Sequence, residues 1–161
     1  MTTIRTAQSS DITSSVQTLF REYSASLDVE FCRKEVDGEL AGLGTDQAPL
    51  RIYLAHEGDA LAGCIALKQM ESGAGELARL FVRPEYRRQG VARDLVDHAE
   101  GEAQRLGMPN MVLHTFGGWQ AAIALYRALG YAEVPPYHEI DFEGIVWLGK
   151  PLAPEKRAAS A

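Results

Sequence analysis

Residues 82–92 read VRPEYRRQGVA, and the fold turns on how that stretch is read. A β-rich run, ELARLFV at 76–82, stops at Pro84, which has no N–H to donate to a ladder. From Gly90 the apolar period becomes helical: Val91, Leu95, Ala99, Ala103 and Leu106 share one face, and Gly107 and Pro109 end it. A strand passing through a short loop into a helix sets the unpaired N–H groups and positive dipole end of the first turn beside Arg87, Arg88 and Arg93. Gly90 has no side chain to hold a ligand away, and Ala92 nearly none. Those arginines add charge-assisted hydrogen bonds, so the stretch is a site for a multiply charged anion. The spacing alone fits a tight turn with solvated arginines equally well.

The cluster stands out because the chain around it is acidic. Its 161 residues carry a net charge of −6, which argues against a nucleic-acid or membrane-surface binder, since either needs a broad basic footprint. Length and an apolar fraction of 46% fit one soluble domain, expected over 1–152, with 153–161 as a frayed tail. The opening residues lack an apolar signal core and no run approaches a membrane span, so the expected location is the cytoplasm. Cys32 and Cys64 make no disulfide framework and read as reduced thiols. No Gly-Lys-Ser/Thr tripeptide supplies a P-loop, and the GLG at 42–44 ends a helix instead of opening one, so the anion is not held by a common nucleotide loop.

Outward from the loop the remaining elements follow. TTIRTA is a short strand, and SSDITSSVQTLFREYSASL is a helix with Ser10 or Asp11 as N-cap. A second helix covers DVEFCRKEVDGELAGL and stops at Gly42 and Gly44. RIYLAHEGDALAGCIALKQM is a hairpin about EGD. NMVLHTF is a strand, WQAAIALYRAL a helix closed by Gly130, and YAEVPPY and EGIVWLGKPL two final strands. The order βαα-βββ-α-β-α-ββ predicts an α/β fold, with a mixed, largely antiparallel sheet and about four flanking helices.

VRPEYRRQGVA resembles the acyl-CoA motif of the GCN5-related N-acetyltransferase (GNAT) superfamily, Arg/Gln-x-x-Gly-x-Gly/Ala, through Arg87, Gly90 and Ala92. Downstream, AAIALYRALGY is similar to the family's Ala-x-x-Leu-Tyr-x-x-x-Gly-Tyr/Phe through Ala122, Leu125, Tyr126, Gly130 and Tyr131. The two motifs stand in the family order, and with the element order they cover about Thr3 to Leu152. Trp119 stands where the family often has Asn. The resemblance implies a GNAT-like acyl-CoA N-acyltransferase fold and acetyl-CoA as cosubstrate, with no metal. The diphosphate would rest on backbone N–H groups of Arg88, Gln89, Gly90, Val91 and Ala92, and the pantetheine would run along Leu80, Phe81 and Val82 like an added strand. Dimers are common among relatives, which leaves a homodimer open.

Acyl transfer from a thioester to an amine needs a neutral amine, a stabilised oxyanion and a proton for the thiolate. By its place in the signature Tyr126 is the candidate acid, although its helical spacing also suits core packing. Glu76, eleven positions ahead of Arg87, is the candidate base. It matches a strand glutamate that serves as base in histone-acetylating relatives, and it equally fits a carboxylate paired with Arg79. A backbone N–H near Phe81 or Val82 is expected to hold the oxyanion. Arg79, His114 and Tyr137 are candidates for the acceptor pocket, with a core position favoured for His114 from its alternation with Val112 and Phe116; Tyr23 and Tyr53 are lesser ones. Asp94, His98 and Glu102 recur every fourth residue of one helix, which imitates a metal site but reads as a solvated charged face. The implied activity is transfer of an acetyl group to a small-molecule amine by direct attack. A protein acceptor, a non-catalytic acyl-CoA-binding module and a protein-interaction domain are the alternatives.

Overall fold

The strands β2 (Leu50–Glu57) and β3 (Ala60–Gln69) are joined by Gly58 and Asp59 alone, and Gly58 takes the left-handed φ of 59° that so tight a hairpin needs. The computed structural model, which describes residues 2–27, 30–42, 50–140 and 142–153, pairs them antiparallel from Glu57↔Ala60 to Leu50↔Lys68. Strand β1 (Thr2–Thr6) lies antiparallel on the other edge of β2. The chain turns from β3 into β4 (Gly75–Val82) with Met70 N–H on Ala74 O, and at the far end Arg83 N–H reaches Ala62 O, both 2.8 Å. β4 then pairs in parallel with β5 (Asn110–Phe116) over Gly75↔Met111 and Glu76↔Val112. β5 and β6 (Ala132–Glu133) both run antiparallel to β7 (Ile145–Pro151). Among the described residues the strand order is β1-β2-β3-β4-β5-β7-β6. This is the mixed, largely antiparallel sheet of the expected α/β fold.

The chain packs as two compact units, one of Met1–Lys68 with Leu77–Ala99, the other of Gln69–Glu76 with Glu100–Ala161. In the first, α1 (Ser9–Asp11) leads through a π-helical turn (Ile12–Val16) into α2 (Gln17–Ser26), and α3 (Glu30–Gly42) follows. Val16, Leu19 and Phe20 close a core with Ile52, Leu54, Cys64, Ala66 and Phe81. On the alternate residues of β2, Tyr53 meets the His98 ring of α4 (Val91–Arg105) edge-on, at 4.9 Å between centroids. Helices on both faces explain why Ile52–Ala55 and Ala62–Leu67 are buried without interruption rather than alternately.

Several local details depart from the sequence reading. The first helix begins at Ser9 with Gln8 as its N-cap, and Asp11 caps it from inside the first turn, accepting Gln8 N–H at 2.7 Å while Arg5 grips its two oxygens at 2.7 and 2.8 Å. His98 is half-buried against Tyr53 rather than on a solvated face, whereas Asp94 is exposed and Glu102 pairs with Arg105. The strand expected over YAEVPPY shortens to Ala132–Glu133. Val134 N–H still reaches Trp147 O at 3.0 Å, but Pro135 and Pro136 have no donor with which to continue. Cys64 is buried in the core of the first unit. The Cys32 side chain, Gly44 and the expected tail beyond Ala153 lie outside the described residues. Among those described, no helix is long and apolar enough to cross a membrane.

In the second unit α5 (Gln120–Ala128) packs Tyr126 and Leu129 inward, and Gly130, at φ 96°, turns the chain after it. The buried Glu100 carboxylate is satisfied from two sides, by Tyr131 Oη at 2.8 Å and Lys150 Nζ at 2.9 Å. Signature residue Tyr131 therefore has an architectural task.

Candidate active site

In the first unit the loop after β4 sorts the arginines into two kinds. Arg83 is committed to the fold: its Nε and Nη2 hold the Glu22 carboxylate at 3.0 and 2.7 Å, and its Nη1 reaches Leu61 O at 3.1 Å. Arg87, Arg88 and Arg93 are exposed. Arg87 Nε donates to Val82 O at 2.9 Å, and its guanidinium lies 5.8 Å from the centre of the Phe81 ring. Gln89 reaches back to Glu85 O, which closes the loop on itself. Arg88 and Gly90 both adopt left-handed backbone, at φ 63° and 84°. For Arg88 that conformation costs about 1–2 kcal/mol, and runs of amides in such turns form anion-binding concavities. A Cβ built on Gly90 would meet nothing within 4 Å. Gly90 O accepts Asp94 N–H at 3.0 Å and opens the 15-residue α4, whose first amides have no intrahelical acceptor. First-turn amides, open space and exposed guanidinium groups fit a diphosphate.

The backbone of β4 is selective about its edges. Arg83 N–H turns toward β3, as does Phe81 O, which a Cβ on Gly63 would meet at 2.4 Å. Val82, between them, turns its carbonyl to the opposite edge, where Arg87 takes it. Of the two expected oxyanion donors, Val82 is the one whose amide shares that outer edge. Arg79 holds φ 56° in mid-strand, and Cys64 Sγ lies 3.5 Å from its carbonyl. Leu80 is half-buried, and the Phe81 ring tilts against Tyr23 at 5.7 Å. Val91 is buried and Ala92 half-buried at the head of α4. Tyr53 is a core residue, 1% exposed.

In the second unit a cluster forms around Glu76. Its side chain is buried, and its Oε2 lies 3.0 Å from His138 Nε2 and 3.6 Å from His114 Nδ1. The Tyr137 hydroxyl lies 3.4 Å from His114 Nδ1. Burial pushes the Glu76 pKa up, but hydrogen bonds from His114 and Tyr137 and the charges of His138 and His114 outweigh it, leaving a net lowering. Burial and then the neighbouring carboxylate raise Tyr137, so its hydroxyl stays a donor. Trp147 completes the cluster, its ring 5.4 Å from His114 and 4.9 Å from Tyr137. Among the described residues no group of three or more His, Cys, Asp or Glu is arranged to hold a metal.

His114 is thus half-buried beside the carboxylate rather than in the core. His138 and Trp147 were missed by sequence reasoning. Trp147 sits directly across the ladder from His114, so the register of β5 on β7 was the signal. Tyr126 is 7% exposed and meets Tyr131 edge-on at 5.6 Å.

Comparisons with known proteins identify the family and the fold. The family model described as Acetyltransferase (GNAT) family matches residues 13–131. An uncharacterized N-acetyltransferase of Bacillus subtilis is 31% identical over 55% of this chain, and an IAA acetyltransferase of Azospirillum brasilense 37% identical over 55%. The chain spans 60% and 58% of those two relatives' lengths. The crystal structure of a PaiA N-acetyltransferase from Thermoplasma acidophilum in complex with coenzyme A superposes with a TM-score of 0.70, covering 94% of this chain and 99% of that one at 18% identity. A model match over most of the chain, on the loop and signature described above, makes this protein a member of the GNAT acetyltransferase family.

Proposed function

We propose that the chain is an acetyl-CoA-dependent N-acyltransferase that acetylates a small-molecule amine by direct attack. The observation that carries this reading is the anion loop after β4, where exposed Arg87, Arg88 and Arg93 and the open space at Gly90 surround the first turn of α4. The diphosphate rests on the amides of Arg88–Ala92, assisted by Arg87, Arg88 and Arg93, and the pantetheine amides run along Leu80, Phe81 and Val82. The Val82 N–H, on the outer edge, takes the carbonyl oxygen as negative charge develops. Protons leave the amine by way of the Glu76 cluster, and Tyr126 protonates the departing thiolate. Arg79, His114 and Tyr137 border the acceptor. A small-molecule acceptor is supported by the relative named as an IAA acetyltransferase, and a cationic one by the ionised Glu76.

The test is a panel of small primary amines with acetyl-CoA, read as free thiol, alongside calorimetric titration of coenzyme A. Thiol release with at least one amine is expected. Binding without release for any amine would favour the binding-module alternative, and absence of binding would overturn the anion-loop assignment.

A further inference from the structure

We propose that His138 is the base that takes the acceptor's proton, with Glu76 as the positioning residue that orients it; this rests on the acetyltransferase reading. A base must meet the amine. Glu76 is only 8% exposed, and its carboxylate is engaged by His138, His114 and Tyr137. His138 is built the other way: its side chain is 39% exposed, with one ring nitrogen tied inward. Nε2 lies 3.0 Å from Glu76 Oε2, and an ionised carboxylate can only accept, so the neutral imidazole carries its proton there and has its lone pair at Nδ1. Among the described residues Nδ1 has no hydrogen-bond partner. The ring is also held sideways, 4.7 Å from Tyr137 and, edge-on, 6.0 Å from His114. The titratable groups facing it are Glu76 from β4, His114 from β5 and Tyr137 from its own segment.

The step balances as follows. The acceptor ammonium gives one proton to Nδ1, and the resulting imidazolium is paired with Glu76. The freed nitrogen lone pair attacks the thioester carbonyl carbon, the C–N bond forms, the C–S bond breaks, and sulfur leaves with the bonding pair as thiolate. The second amine proton balances the one that the thiolate takes up, and the proton on His138 passes to solvent. Buried Glu76 has no such exit, which is the physical reason for dividing orientation and proton transfer between two residues.

The test compares two amines with acetyl-CoA at pH 7. n-Butylamine is almost wholly protonated there and needs a base before attack; hydroxylamine is already neutral. His138→Asn should slow thiol release with n-butylamine by about 10²-fold, slow it with hydroxylamine by less than about tenfold, and leave calorimetric binding of coenzyme A unchanged. Added imidazole should partly restore n-butylamine turnover to His138→Ala. Glu76→Gln should displace the kcat/KM–pH profile for n-butylamine more than that for hydroxylamine. Equal loss with both amines, no loss with either, or a wild type active on hydroxylamine alone would overturn the role of His138. A wild type that releases thiol with neither amine sinks the acetyltransferase reading, and the proposal with it.

Discussion

Tyr126 and Tyr131 come from one signature and touch each other in the fold. Tyr131 Oη is bound to Glu100 Oε2 at 2.8 Å and helps satisfy a buried carboxylate. Tyr126 meets it through the ring, edge-on at 5.6 Å, and that contact survives in a phenylalanine. Tyr126→Phe is therefore expected to fold and to bind coenzyme A, while kcat falls by about 10²-fold, a common size for lost acid catalysis. Stopped-flow thiol detection checks it; an unchanged kcat with chemistry limiting would leave Tyr126 as a packing residue. At this scale the sequence is legible where a motif fixes the position, as it does for Tyr126 and Gly90. Glu76 was singled out through its match to a strand glutamate of relatives, but its neighbours in the fold were not. His138 follows two prolines that end a strand early, and Trp147 faces His114 only through the register of β5 on β7. Neither relation is written in local spacing.

At the scale of elements, the change of period at Gly90 made the strand–loop–helix unit readable, because strand alternation and helical repeat differ too much to be confused. What spacing could not divide was the arginine cluster. Arg83 belongs to the packing of α2 through Glu22, while Arg87, Arg88 and Arg93, four and more residues on, remain exposed. Nor could it reveal the left-handed residues Arg79 and Arg88, since non-glycine residues there reflect tertiary constraint and not preference. The unit makes its own prediction. A Cβ on Gly90 meets nothing, so space is available, but φ 84° strains any L residue by about 1–2 kcal/mol. Gly90→Ala should show that strain as a lowered Tm and still bind coenzyme A. Gly90→Glu adds a carboxylate to the face that meets phosphate, and calorimetry should find binding abolished. Equal binding by Gly90→Glu and the wild type would remove the phosphate from this loop.

Across the whole molecule, acid stability should carry the mark of the Glu76 cluster. Burial alone would raise the pKa of Glu76, but the His114 and Tyr137 hydrogen bonds and the electrostatic influence of His138 and His114 reverse it. A carboxylate whose folded pKa lies below its unfolded value, about 4.3, binds protons more readily when unfolded. Its contribution is fully present above that unfolded value and is lost as pH falls through the folded one. Asp11 behaves alike, held well below the usual range by the Arg5 hydrogen bond and then by Gln8 N–H, so the wild type has at least two carboxylates titrating in this window. Glu76→Gln removes one and leaves Asp11 in place. Urea unfolding from pH 3 to 7 should therefore give a shallower fall of stability toward acid in the variant, even though its stability at pH 7 is lower for want of the ionised partner. The difference between the two curves isolates Glu76, because the Asp11 contribution cancels. Parallel curves would mean that Glu76 titrates alike in the folded and unfolded chain, and the cluster could not then be holding it ionised.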